Sequence, residues 1–231
     1  AILNNKATGD KEHGGAIYNY DGAIMNITSS HLEHNNAHKG GAIHNYEAYI
    51  HISHTNFTNN SAKYAGAINN EGNMNIRKSN FTYNKADYAG AINTTGNLNK
   101  TETTFDNNDV GVGGGALYNV GGNLTVKHCQ INNHDAINHA GAVRSDGGSL
   151  EITNTTLNNN TSNYGGAINT IRTTLKVHNC TLNNYKARSG GGAIWTNNYI
   201  NITKNVFTYN TANKGSAIYN MGHGTITNNT F

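Results

Sequence analysis

Residues 65–84 read AGAINNEGNMNIRKSNFTYN, and residues 89–108 read AGAINTTGNLNKTETTFDNN. The second stretch begins 24 residues after the first and repeats its landmarks in order. Each has an alanine (Ala67, Ala91), an aromatic (Phe81, Phe105) and an asparagine three residues beyond it (Asn84, Asn108). Working outward in both directions, a motif of two small residues, alanine and an aliphatic recurs nine times. Its alanines are Ala16, Ala42, Ala67, Ala91, Ala116, Ala142, Ala167, Ala193 and Ala217, spaced 26, 25, 24, 25, 26, 25, 26 and 24 residues apart. A second column keeps step: Leu32, Phe57, Phe81, Phe105, Ile131, Leu157, Leu182, Phe207 and Phe231. A third lies five residues before it: Ile27, Ile52, Ile76, Lys100, Val126, Ile152, Val177, Ile202 and Ile226. Three columns in register across nine copies describe a solenoid, in which each repeat packs only on its neighbours.

Within a copy the apolar residues alternate, as in MNI, IHI, LTV and LEI. A period of two means strand, and alternate side chains share one face. Turn residues such as Glu71-Gly72, Thr95-Gly96 and Gly121-Gly122 separate the strands. Three short strands per turn, stacked on identical strands, give an all-β fold: a right-handed single-stranded parallel β-helix. Its hand follows that of parallel crossovers. It has about nine coils of 24–26 residues, and residues 1–231 form one repeat domain, read as a segment of a longer surface protein. A leucine-rich repeat overlaps this period but needs a Leu-rich return segment, where this chain has Gly-Gly-Ala-Ile and Asn-rich turns. A calcium-loaded β-roll needs GGxGxD repeats, whose acids are missing.

Composition agrees. Asparagine makes up 44 of 231 residues and proline none, while the strong helix formers Leu and Glu are scarce. A formal charge of +3 without any basic run argues against a nucleic-acid partner. Stacking places like residues in contact, so Asn35, Asn60, Asn84, Asn108, Asn160 and Asn210 are expected to form an amide ladder at one turn, with His134 and Tyr185 replacing asparagine in that slot.

The pairing of the Gly-Gly-Ala motif with F-x-x-N resembles the repeat of chlamydial polymorphic membrane proteins. The Asn- and Ile-rich, proline-free composition is similar to the adhesin-like β-helix proteins of methanogenic archaea. The resemblance implies an extracellular, cell-surface rod that adheres to other cells or polymers. Its partners would be extracellular glycans or surface proteins, with no cofactor. Two other roles compete: a structural surface-layer or filament subunit that associates end to end, and a polysaccharide lyase or glycosidase. Catalysis on this fold needs clustered carboxylates, and only 13 acids are present. Asp109 and Asp135 share a slot in adjacent coils, with Lys85 one coil earlier, and read as a solvated turn rather than a catalytic pair. The chain is therefore expected not to be an enzyme. His13, His31, His34, His38, His44, His51 and His54 crowd the first coils, but on a strand-and-turn backbone they predict exposed polar residues and no metal site.

The candidate binding surface is the outward face of the first strand. Two residues after each repeat alanine stand Tyr18, His44, Asn69, Asn93, Tyr118, Arg144, Asn169, Trp195 and Tyr219, and two further on come Tyr20 and Tyr46. Exposed aromatics in a row can stack on sugar rings, and arginine can bond hydroxyls. Of these, Tyr18, Tyr20, His44, Tyr46, Tyr118, Arg144, Trp195 and Tyr219 form the expected track. Two interior features carry further expectations. Cys129 and Cys180 occupy one inward slot two coils apart, roughly 9–10 Å, too far for a disulfide. Lys100, the one charge in the isoleucine column, should escape through a bulge or a stem bent toward water.

Overall fold

The structure, a computed structural model, describes residues 1–8 and 12–231, and every strand pairing among them is parallel. The aromatic-bearing strands, such as Asn56–Thr58, Asn80–Thr82 and Thr104–Asp106, stack into a nine-stranded sheet spanning about eight turns. A larger sheet holds the alanine-led strand and the isoleucine-led strand of each coil. They run on as one strand in Ile43–Ser53 and Ile68–Arg77 and separate in Ile92–Thr94 and Asn97–Thr101. Two-residue strands such as Ser61–Ala62 and Lys85–Ala86 form the short third side.

The register is the one the spacings predict. Leu32, Phe57, Phe81, Phe105, Ile131, Leu157, Leu182 and Phe207 pair in one unbroken column. The isoleucine column runs likewise from Ile27 to Ile226. As far as Ile202 and Phe207 both lie along a single hydrophobic core, whereas Ile226 in the last coil is exposed.

Two corners per coil explain the asparagine content. One holds Asn4, His34, Asn59, Tyr83, Asn107, Asn133, Asn159, Asn184 and Tyr209, all at positive φ. The other holds Ser29, His54, Lys78, Glu102, His128, Asn154, Asn179, Lys204 and Asn228, again all at positive φ. Left-handed backbone costs an ordinary residue about 1–2 kcal/mol, and asparagine tolerates it best after glycine. Tyr83 sits at φ 56° with its side chain largely in solvent, so it bears that cost without packing in return. Tyr83→Asn is expected to stabilise the rod by about 1 kcal/mol, read from the urea midpoint; an unchanged midpoint would contradict this account of the corner.

The residue after the first corner builds the amide ladder. Asn35 Nδ2 donates to Asn60 Oδ1 (2.9 Å), Asn60 to Asn84 (3.0 Å) and Asn84 to Asn108 (2.9 Å). Asn5, three residues after Ile2, extends the ladder by donating to Asn35. The side-chain chain then stops, because His134 presents Nδ1 in place of an amide oxygen and accepts the Asn108 backbone N–H. Burial pushes the His134 imidazole down to about 4, so it stands there neutral. Asn160 and Asn210 therefore do not join an amide column, as the sequence led one to expect. Each instead accepts a backbone N–H, from His134 and Tyr185, and donates to a core carbonyl, of Ile131 and Leu182. A second buried polar column was not anticipated: Asn19, Asn45, Asn70 and Thr94 pass hydrogen bonds of 2.8–3.0 Å from coil to coil.

Cys129 and Cys180 are buried free thiols in a shared slot. Each donates to a carbonyl two residues back, at Lys127 and His178 (3.2 Å), as the serines and threonines of that slot do. Burial pushes the Cys180 thiol up to about 11, which makes it a packing group rather than a nucleophile. Lys100 corrects its expectation. No bulge relieves it: it pairs in register with Ile76 and Val126, is 0% exposed, and its Nζ has no hydrogen-bond partner among the described residues. The column's backbone hydrogen bonds hold the strand straight, and the stem lies inward with Nζ 5.8 Å from the Phe105 ring centroid.

Candidate binding surface

The slot two residues after each alanine forms a continuous outward column. Tyr18, His44, Asn69, Asn93, Tyr118, Arg144, Asn169, Trp195 and Tyr219 pair in that order. Strand alternation points these side chains away from the core, and parallel stacking sets them one coil step, about 4.8 Å, apart. The residues are not equally accessible. Tyr18 and Tyr20 are 48% and 54% exposed, whereas Tyr46, Tyr118, Arg144, Trp195 and Tyr219 are half-buried. His44 departs from the expectation, being outward yet 0% exposed. The His13 ring lies 4.4 Å and the Tyr18 ring 5.2 Å from it, centroid to centroid, and Asn69 Nδ2 donates to its Nδ1 (3.0 Å). Burial, then the neighbouring His13, pushes the His44 imidazole down to about 4. His44 is thus a neutral support beneath the tyrosines rather than a contact residue.

The rings fall into three groups. In the first coils Tyr20 stacks on Tyr46 (5.7 Å, 10°) and Tyr46 on His44 (6.1 Å, 14°). In the middle the Arg144 guanidinium lies 5.0 Å over the Tyr118 ring. That cation–π contact occupies Arg144, and burial raises the Tyr118 hydroxyl above its ordinary pKa. Toward the last coils Trp195 stacks on Tyr219 (6.5 Å, 27°).

A facing column was missed. The residue that opens each motif, three before the alanine, is His13, Lys39, Tyr64, Tyr88, Gly113, His139, Tyr164, Gly190 and Lys214. Wherever the outward slot holds asparagine (Asn69, Asn93, Asn169), this slot holds tyrosine (Tyr64, Tyr88, Tyr164). Where the outward slot holds Tyr118 or Trp195, it holds Gly113 or Gly190. The two slots line the same grooves, so every one of the nine coils supplies at least one ring to this side of the rod. Tyr64 and Tyr88 stack at 4.9 Å and 8°. Beside them Lys39 Nζ and Asn69 Nδ2 both donate to Glu71 Oε1 (2.9 Å each). Burial pushes the Glu71 carboxyl up, but those two hydrogen bonds together with the Lys39 charge leave it below the ordinary carboxylate value.

The remaining charged groups behave as solvated pairs. Lys85 Nζ meets Asp109 Oδ2 at 2.9 Å with both side chains largely exposed, and Asp135 accepts from Thr161. The two acids are thus each engaged with a different neighbour instead of with one another. Among the described residues no three His, Cys, Asp or Glu side chains converge in a way that could hold a metal ion, and no helix is long and apolar enough to cross a membrane.

Comparison with protein-family models matches residues 102–120 to the Chlamydia polymorphic membrane protein repeat. The match spans both halves of the sequence motif, FDNN at 105–108 and GGGAL at 113–117. The chain is a parallel β-helix, and residues 102–120 within it are similar to a repeat of that type. No curated protein and no solved structure matches it.

Proposed function

We propose that residues 1–231 are one repeat domain of an extracellular, cell-surface adhesin, a rod that holds an aromatic face toward other cells. The observation that carries this reading is the ring contributed by each of nine coils to one side, none of which the core requires. The likeness of residues 102–120 to a repeat of chlamydial membrane proteins supports a surface location. Partners on this reading are extracellular glycans or surface proteins. An aromatic contact contributes about 1 kcal/mol, so one site binds weakly while a repeated column gains by avidity. That arithmetic favours extended, repetitive ligands over small molecules. The engagement of Asp109 and Asp135 with different neighbours also favours an adhesive role over an enzymatic one.

The triple variant Tyr18→Ser, Tyr46→Ser, Trp195→Ser removes two rings from the first-coil group and one from the last. It is expected to leave circular dichroism and the melting curve nearly unchanged while lowering retention on cultured host cells several-fold. Unchanged retention by a folded variant would favour a purely structural rod.

A further inference from the structure

The facing slot is not filled in every coil. Tyr88 stacks on Tyr64 with one face, but the next coil places Gly113 in the slot, so no side chain from there covers its other face. The arrangement recurs three coils on. Tyr164 stacks on His139 (5.8 Å, 26°), and the slot after it holds Gly190. Opposite each gap stands a large ring, Tyr118 in the coil of Gly113 and Trp195 in the coil of Gly190. Trp195 meets Tyr164 edge-on at 6.2 Å and 71°. Grooves open at both places. The first, of about 470 Å³, runs from Lys39 and Glu71 along Tyr64 and Tyr88 and over Asn69 and Asn93, and ends at Tyr118 in the coil of Gly113. The second, of about 280 Å³, lies among Tyr164, Trp195, Tyr219, Ser189 and Asn213. The sequence marks both: GGGA occurs twice, in GGGALY at 113–118 and GGGAIW at 190–195. Each follows, one coil later, a motif opened by tyrosine, YAGA at 88–91 and YGGA at 164–167.

The two glycines differ in what their backbone demands. A β-carbon on Gly113 would collide with the carbonyl oxygen of Tyr88. At Gly190 the nearest atoms to such a β-carbon are Lys214 O at 3.5 Å and the Tyr219 ring at 3.6 Å, ordinary contact distances. Its φ is also not in the left-handed region. Position 190 therefore accepts a β-carbon without strain, and tyrosine fills this slot in three other coils.

We propose that these two gaps are pyranose-binding subsites for a single extended, neutral glycan; the proposal rests on the adhesive reading above and names its ligand. The chemistry fits in three respects. The first gap, between Tyr88 and His139, has the thickness of one flat ring, and the second lies between Tyr164 and the aliphatic stem of Lys214. A pyranose offers an apolar C–H face to the open tyrosine and hydroxyls at its rim to Asn93 and Thr95, or to Ser189 and Asn213. The charged residues that line the first groove, Lys39 and Glu71, are paired at 2.9 Å, which suits an uncharged sugar there, while Lys214 lines the second. Three coil steps of about 4.8 Å separate the gaps by roughly 14 Å, a distance a short linear oligosaccharide spans, so occupancy of one raises the effective concentration at the other.

Trp195 is the only tryptophan in the chain, so its fluorescence reports the second gap directly. The rod is titrated with linear oligomers of glucose, N-acetylglucosamine, galactose and mannose. A saturable change is expected with at least one of them. Gly190→Tyr, which fills the gap with its neighbours' residue, is expected to keep the wild-type circular dichroism and weaken that binding about tenfold or more. Tyr164→Ala, which removes the stacking wall instead, is expected to weaken it similarly. Absence of a response to every oligomer overturns the proposal, as does undiminished binding by a folded Gly190→Tyr rod. Cell retention separates this failure from that of the adhesive reading. If wild type and Gly190→Tyr are retained equally, the subsites fall and adhesion stands. If wild type is not retained at all, both fall.

Discussion

Replacing Lys100 by isoleucine is expected to stabilise the rod by about 5 kcal/mol at pH 7. The amine is fully enclosed between Ile76 and Val126, and burial pulls its pKa from 10.5 to about 7. A group that holds its proton less well when folded weakens the folded state wherever the unfolded chain is protonated. Above about pH 10.5 neither state is charged and the cost vanishes. As pH falls from there to about 7 the unfolded chain keeps a proton that the folded one gives up, and stability declines by about 1.4 kcal/mol per unit. Below about 7 both states are protonated and the cost levels off at its maximum. Urea midpoints at pH 7 and pH 9.5 test this. The isoleucine variant should gain several kcal/mol at the lower pH and clearly less at the higher. A loss of stability, or a gain independent of pH, would show that the amine reaches water after all.

Phe81→Ala is expected to cost about 3–5 kcal/mol, the range for emptying a buried aromatic site. The Phe81 ring is sandwiched between Phe57 (4.6 Å, 3°) and Phe105 (4.9 Å, 11°), so its loss opens a cavity and ends two stacking contacts. In a solenoid a coil is supported only by its neighbours, and a void there has no third layer to collapse upon. Phe81→Leu should be far milder, below about 1.5 kcal/mol, because leucine fills this column at Leu32, Leu157 and Leu182. Chemical denaturation followed by circular dichroism separates the two. Equal costs for alanine and leucine would mean that stacking, rather than filled volume, holds the column.

The fold was legible because its period is written in three independent residue types, and one mis-set column would have put Lys100, Phe81 or Ala67 out of step with the rest. The amide ladder was legible from Asn35 to Asn108 for the same reason. Its interruption needed geometry: only coordinates show that His134 Nδ1 can stand in for an amide oxygen. Alternation gave the direction of His44 correctly but not its burial, since that depends on how His13 and Tyr18 lean over it. Tyr64, Tyr88 and Tyr164 escaped notice because they precede a corner. The residues after Tyr64 and Tyr164, Ala65 (φ 150°) and Gly165 (φ 68°), turn the chain out of the strand, so a period-of-two argument does not reach across them. What exposed the facing column was its complement, with tyrosine against asparagine and glycine against Tyr118 or Trp195.

The in-register stacking has a consequence for inheritance. Every coil meets the next through the same slots, so a junction made between equivalent positions of any two copies is one the fold already contains. Deleting residues 67–90, for example, joins Gly66 to Ala91 and sets Phe105 directly on Phe57, with alanine, isoleucine-slot and aromatic columns all closed. The copies AGAINNEG and AGAINTTG agree at six of eight positions, so one can stand in for the other at such a junction. Whole-repeat slippage then changes the reach of the rod and the order of rings on its face while leaving a foldable chain. Slippage by any other length shifts the columns against one another and is eliminated by misfolding.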